Sequence, residues 1–175
     1  MSLVLDVGCG KNKRGTIGVD IRKTPVVDIL CDAHYLPFIN EVFDGCYAYA
    51  LLEHVDDPIK VLKEINRVLR SKKWLKVLVP TDSRLRSDYV ACIISLHFKH
   101  CLGEYRAMKS GEHKWQYSVK SLKEILSVTG FEVKEVKRPA YPFISGRRVG
   151  KVLSKLRIVR HSRLVMTAIK RGSGN

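Results

Sequence analysis

Leu3-Val4-Leu5-Asp6-Val7-Gly8-Cys9-Gly10 is the stretch from which the fold is read. Leu3 to Val7 is a short run of branched apolar residues that stops at a Gly-x-Gly turn. A run of that length and composition reads as a buried parallel strand, because both faces of such a strand are covered. Gly8 and Gly10 allow the backbone to turn tightly and leave no Cβ where a ligand would approach. Ile17-Gly18-Val19-Asp20 reads as a second strand ending in a carboxylate. At that place in a nucleotide-binding unit an acid accepts hydrogen bonds from ribose hydroxyls. A Gly-x-Gly after a strand is nevertheless shared by cofactor turns and ordinary strand exits.

Between Gly10 and Asp20 a full crossover helix does not fit, since parallel strands are commonly joined by about a dozen residues or more. Lys11-Asn12-Lys13-Arg14-Gly15 must cross as a loop or a single turn. One face of the sheet then lacks its usual cover, to be supplied by the late basic helix or by a second subunit. Residues 26–30 read as a third strand, and residues 43–50 as a fourth. Asp56-Asp57-Pro58 is a helix start, with Asp at the cap and Pro in the first turn. Ile59, Leu62, Ile65, Val68 and Leu69 lie on one face of that helix, and Ser71-Lys72-Lys73 ends it. Residues 74–79 form a fifth strand, broken by Pro80. Residues 88–100 read as a helix, 118–129 as another with Val119, Leu122, Ile125 and Leu126 inward, and Gly130 as its stop. Residues 131–136 alternate as a strand, 139–146 form a linker, 147–159 a basic amphipathic helix, and 163–169 a closing strand. Strands alternating with helices in this way predict a three-layer α/β sheet, mostly parallel, with one of the last two strands antiparallel.

The 175 residues are read as one domain, with residues 81–117 as an insertion and 139–175 as a basic terminal helix and strand. Apolar residues make up 45% and charged residues 28%, a globular composition that excludes a disordered chain. No apolar run approaches the ~20 residues needed to span a bilayer. The chain enters a strand almost at once, so no signal peptide is expected. Five cysteines without a C-x-x-C pair do not make a disulfide framework, and reduced thiols in a cytoplasmic protein are expected. The net charge of +15 is unusual, and no acidic residue follows Glu135. Arg147, Arg148, Lys151, Lys155, Arg157, Arg160, Arg163, Lys170 and Arg171 all lie beyond it. Such a field attracts nucleic acid, an anionic membrane or an acidic substrate, or serves only as a solvated helix face.

Several motifs in order carry a resemblance. They are Leu5-Asp6-Val7-Gly8-Cys9-Gly10, Gly18-Val19-Asp20, Asp32-Ala33-His34-Tyr35-Leu36-Pro37-Phe38, Phe43-Asp44, Leu52-Glu53-His54-Val55 and Leu62-Lys63-Glu64-Ile65-Asn66-Arg67-Val68-Leu69. With His113-Lys114-Trp115-Gln116-Tyr117-Ser118 and Gly130-Phe131-Glu132-Val133 as later landmarks, the chain resembles the S-adenosylmethionine-dependent methyltransferases of the Rossmann-like class. The likeness is to the type-11 methyltransferase domain in particular. The resemblance implies S-adenosyl-L-methionine as cofactor. Gly8 and Gly10 would lie against its amino-acid and ribose parts, and Cys9 is assigned to the same wall. Asp6 would help hold the turn and the methionyl amine region. Asp20 would take the ribose hydroxyls, with Ile21 beside it. Asp32 would accept from the adenine amino group, and the Ala33 backbone would meet the ring edge. Leu51 and Leu52 would flank the methionine moiety, and His54 would sit near the mouth. Asp6 and Asp32 also admit purely structural readings, as a cap on local amides and as a helix cap. Most relatives have a full helix after the glycine turn and extra helices before the first strand. Here the acceptor pocket is therefore either open or completed by another subunit.

His54 and His113 are the candidate general bases, with Glu53 behind them, if the acceptor must lose a proton. Cys92, His97, His100, Cys101 and His113 match no zinc spacing, so no metal is expected. The basic residues of 81–115 (Arg84, Arg86, Lys99, Arg106, Lys109 and Lys114) favour a negatively charged small-molecule acceptor. RNA is the alternative, with Tyr105 or Trp115 to stack a base. A non-catalytic binding or scaffold protein that keeps the cofactor fold is the competing class, as a homodimer or with a partner subunit. The basic segment 147–159 would pack its Val149, Val152, Leu153 and Leu156 stripe on the sheet, or lie on an anionic membrane.

Overall fold

The computed structural model describes residues 2–80, 104–105, 114–138 and 163–172. The expected helices at 88–100 and 147–159, and the linker at 139–146, lie outside the described residues. The elements are β1 (Val4–Val7), β2 (Ile17–Asp20), β3 (Ile29–Leu30), β4 (Phe43–Tyr49), α1 (Pro58–Val68), β5 (Leu69–Pro80), β6 (Glu104–Tyr105) and β7 (Trp115–Gln116). They continue as α2 (Val119–Val128), β8 (Phe131–Lys137) and β9 (Arg163–Lys170). Seven strands form one sheet in the order β3-β2-β1-β4-β5-β9-β8, and β6 and β7 form a separate pair. The first five are parallel. β9 runs antiparallel between β5 and β8, as expected for one of the last two strands.

Register explains why one face is the core. Leu5, Cys46, Leu75 and Ala168 stand in one row across β1, β4, β5 and β9, and Val7, Ala48, Val77 and Met166 in the next. All eight have no exposure, and they share one cluster with the buried faces of α1 and α2. Burying each of the Leu, Val and Met side chains in these rows contributes roughly 1.5–3 kcal/mol. The opposite face carries Asp6, Tyr47, Lys76 and Thr167 in register, with Trp74 and Tyr49 alongside. There the loop of residues 11–15 takes the place of a crossover helix, as the short spacing requires. Its Lys13 lies where a Cβ on Gly18 would be 2.6 Å from Cδ. Tyr47 makes edge contacts with Tyr49 and Trp74 at centroid distances of 5.4 and 5.0 Å.

Three expectations need correction. The third strand is only Ile29–Leu30, because residues 24–28 turn and Asp28 substitutes a side chain for the ladder. Val27 N–H donates to Thr24 O, and Gly18 N–H donates to Asp28 Oδ2 at 2.7 Å. The buried face of α1 is Pro58, Val61, Leu62, Ile65 and Val68, with Ile59 only half-buried. Leu69 has already left the helix and pairs with Phe43 as the first residue of β5. Residues 70–73 then bulge before Trp74 pairs with Gly45, so they do not form the helix end. Asp44 sits under this bulge. It accepts from Leu3 N–H and pairs with Arg70 and Lys73, which hold its carboxyl down at about 2.

The helix termini agree with the sequence. Asp57 caps α1 by accepting from Lys60 N–H at 2.9 Å, with Pro58 in the first turn. Ser118 caps α2 in a capping box with Ser121, and Gly130 at φ +88 ends the turn beyond it.

Candidate functional site

The cavity lies at the carboxyl ends of β1 and β4, where the strand order reverses direction. In open α/β sheets this crevice is the expected ligand site. It has a volume of about 480 Å³, within the range of small-molecule pockets, which is about 300–1,000 Å³. Gly8, Cys9, Gly10, Asp20, Ile21, Asp32, Ala33, Leu51 and His54 all line it. These positions run in sequence from Gly8 to His54, and the parallel register of β1, β2 and β4 brings them together.

The glycine turn is fastened to β2. Gly8 N–H and Cys9 N–H both donate to Val19 O, and Gly10 N–H donates to Asp20 Oδ2 at 2.9 Å. Gly8 and Gly10 have φ of +70° and +56°, in the left-handed region that favours glycine. A Cβ on Gly8 would fall 2.9 Å from Leu51 Cδ1, whereas one on Gly10 would meet nothing within 4 Å. Gly10 thus leaves open space in the cavity wall that any other residue would fill. Asp20 also accepts from Arg22 N–H at 2.8 Å, which fixes the carboxylate at the rim.

Asp32 is held by its own turn. Its Oδ1 accepts from His34 N–H at 2.9 Å and from His34 Nδ1 at 2.6 Å, and these bonds keep the carboxyl below its ordinary range. Asp57 N–H donates to His34 Nε2 at 3.1 Å. In the tautomer that accepts from Asp57 N–H at Nε2, Nδ1 carries the proton and donates to Asp32. Helix α1 anchors the rest of the motif. Glu64 accepts from Leu36 N–H, and Arg67 donates to the carbonyls of Leu36 and Phe38. Ile21 is 71% exposed, an apolar side chain on the cavity wall available to a ring.

Two expected residues do not reach the cavity. Asp6 is fully buried beneath the 11–15 loop and accepts from Arg14 N–H at 2.6 Å. Its Oδ1 has no partner, and burial pushes its carboxyl above the ordinary range. Leu52 turns into the core with no exposure, while Leu51 takes the cavity side. His113 and the cluster Cys92, His97, His100 and Cys101 lie outside the described residues.

The structure adds lining residues that sequence reasoning missed, Arg14, Arg22, His34, Tyr49 and Asp56, and brings Lys114, one of the basic residues expected to favour an anionic acceptor, to the same wall. His34 and Lys114 stand inside quoted motifs, which was the available signal. Lys114 pairs with Asp56 at the mouth. Segment 114–117 is sewn to the loop after β4. Lys114 N–H and Trp115 N–H donate to Glu53 O, Trp115 Nε1 to Val55 O at 2.8 Å, and Tyr117 OH to Leu52 O at 3.1 Å. Burial raises the Glu53 carboxyl. These bonds set the backbone that carries His54, whose side chain lies exposed at the cavity.

The donor set fits an adenosine-bearing cofactor: carboxylates on two strand ends, an exposed apolar wall and a glycine turn without a Cβ. Comparison with known proteins agrees. Residues 5–77 match the family described as a methyltransferase domain. An O-methyltransferase, resE, of Aspergillus sclerotiorum is 29% identical over 158 residues, covering 75% of this chain. The chain spans 55% of that relative's length. A Methanosarcina mazei S-adenosylmethionine-dependent methyltransferase superposes with TM-score 0.61 at 17% identity, covering 96% of this chain and 92% of its own. One from Mesorhizobium loti gives TM-score 0.65 at 13% identity, covering 97% and 91%. A Haloferax volcanii methyltransferase solved with the Trm112 methyltransferase activator gives 0.62 at 16% identity, covering 98% and 83%. The chain thus has the fold of these S-adenosylmethionine-dependent methyltransferase structures, with its cavity where β1 and β4 lie side by side, and its residues 5–77 match the methyltransferase-domain family.

Proposed function

We propose that this protein transfers a methyl group from S-adenosyl-L-methionine to an anionic small molecule. The observation that carries the reading is one cavity that joins Asp20, Asp32 and the glycine turn to the cations Lys11, Arg14, Arg22 and Lys114. Asp20 and Asp32 are acceptors, suited to ribose hydroxyls and to the adenine amine. Gly10 lets the ligand approach the backbone, and Ile21 with the Ala33 backbone would border the base.

When bound, the cofactor supplies a sulfonium methyl, so that the acceptor forms its bond to carbon as the carbon–sulfur bond breaks. The protein's part is alignment, which can supply on the order of 7–11 kcal/mol. Where the acceptor must lose a proton, His54 is the exposed imidazole on the cavity wall to receive it, worth about 10²–10⁴-fold. Lys114, at the mouth, would hold an anionic acceptor there. RNA is the second reading, favoured by the net charge of +15.

Calorimetric titration with S-adenosylmethionine and S-adenosylhomocysteine tests the reading, with Asp20→Ala alongside. Saturable binding that the variant loses is the expected result. No binding by the wild type would sink it. A screen of methyl acceptors with labelled cofactor then separates anionic metabolites from RNA.

A further inference from the structure

The loop that replaces the first crossover helix does more than close a gap. It carries Arg14 into the cavity wall beside Tyr49, at the crossing of β1 and β4. We infer that Arg14 receives the α-carboxylate of the cofactor's methionyl group, an inference that rests on the cofactor-site reading above.

Three observations converge on it. The first is positioning. Arg14 N–H is fastened to Asp6 Oδ2 at 2.6 Å, its Nη1 donates to Asn12 O at 2.9 Å, and its guanidinium carbon stands 4.8 Å from the Tyr49 ring centroid. A guanidinium stacked on a ring keeps its edge free for a planar anion. Tyr49 ends β4, and the pairing of Val7 with Ala48 puts it at the same edge as the glycine turn.

The second is charge. Among the described residues Arg14 has no carboxylate within ion-pair distance. Lys13 is paired with Asp28, and Lys114 with Asp56. Asp6 gives its Oδ2 to the Arg14 backbone and keeps Oδ1 buried without a partner. Lys11 and Arg22 also line the cavity, but they follow Gly10 and Asp20 on the β2 side.

The third is the polarity of the cavity. Its β2 and β3 ends present the Asp20 and Asp32 carboxylates, acceptors matched to hydroxyl and amine donors. An amino-acid tail extends from such a nucleoside toward the other end, where a cation is needed. A guanidinium offers two parallel N–H donors to a carboxylate, which an ammonium does not.

The test compares ligands that differ at the carboxylate. S-adenosylhomocysteine, decarboxylated S-adenosylmethionine and 5′-methylthioadenosine are titrated into wild type, Arg14→Gln and Arg14→Lys by calorimetry. Thermal melts of each protein are recorded alongside. Arg14→Gln is expected to weaken S-adenosylhomocysteine by about 10- to 100-fold, the range of a charge-assisted pair. It should leave the two ligands without the carboxylate within about twofold of wild type. Arg14→Lys, which keeps the charge and loses the fork, should show a smaller loss confined to S-adenosylhomocysteine. Equal losses for all three ligands would overturn the assignment to Arg14 while leaving the cofactor site standing. So would wild-type affinity that does not distinguish S-adenosylhomocysteine from methylthioadenosine. Failure of the wild type to bind any of the three overturns the cofactor reading and this assignment together.

Discussion

Replacing Gly10 by Ala separates the cost of a backbone conformation from the cost of filling the cavity. Gly10 has φ of +56°, and a Cβ built there meets no protein atom within 4 Å. Inside the protein the substitution therefore carries only the left-handed strain, about 1–2 kcal/mol. For a domain of this size each kcal/mol moves the melting temperature by about 2–4 °C, so a fall of about 2–8 °C follows. The added methyl projects where Gly10 lines the cavity, and an overpacked contact costs about 1–3 kcal/mol. That converts to about 5- to 150-fold weaker binding of S-adenosylhomocysteine. Gly130→Ala is the control. It has φ of +88°, its Cβ would meet Asn66 Nδ2, which donates to Gly130 O, at 2.8 Å, and it lies at the β8 edge of the sheet, away from the cavity. It should lower stability to a similar degree and leave affinity unchanged. Melting curves and calorimetry on the same preparations read both quantities. A Gly10→Ala protein that melts lower but binds within about twofold of wild type would refute the reasoning, because no ligand could then approach that backbone.

Other outcomes follow from the same geometry. Tyr117→Phe leaves the Leu52 carbonyl without its buried donor, which should cost about 1–3 kcal/mol in a denaturant titration. An unchanged midpoint would show that the 114–117 segment does not hold the loop after β4. Asp44, held at about 2 against an ordinary 3.8, contributes stability that is present above pH ~4 and is lost as the pH falls toward 2. Asp44→Asn should flatten that acid loss, and parallel acid curves for the two proteins would contradict it. His54→Ala should lower turnover about 10²–10⁴-fold with unchanged cofactor affinity if the acceptor must be deprotonated. Full turnover with intact binding would remove His54 from the chemistry.

The local signals were legible because each is a short-range requirement of the backbone. A branched run closed by two glycines dictates β1 and its turn. Asp57-Pro58 dictates the start of α1, and Ser118 with Gly130 brackets α2. The motif order points to the cavity wall from Gly8 to Leu51 because these residues stand at strand ends, where position in the chain implies position in the sheet. The shortness of β3 is not legible in the sequence, because nothing in the composition of residues 26–28 reveals that Asp28 bonds Gly18 through its side chain. Adjacent Leu51 and Leu52 look alike in the sequence, and only the turn after β4 points one at the cavity and the other at the core.

What the chain alone determined, then, is the parallel sheet, its short first crossover and the acidic strand ends, all of which follow from local conformation and hydrophobic pattern. Only the tertiary structure decided which charges share the cavity. Arg14 and Lys114 are a hundred residues apart in sequence and sit in loops, where periodicity is silent. One is placed by a stack on Tyr49 and the other by bonds to the backbone after β4, long-range contacts that exist only once the strands have paired.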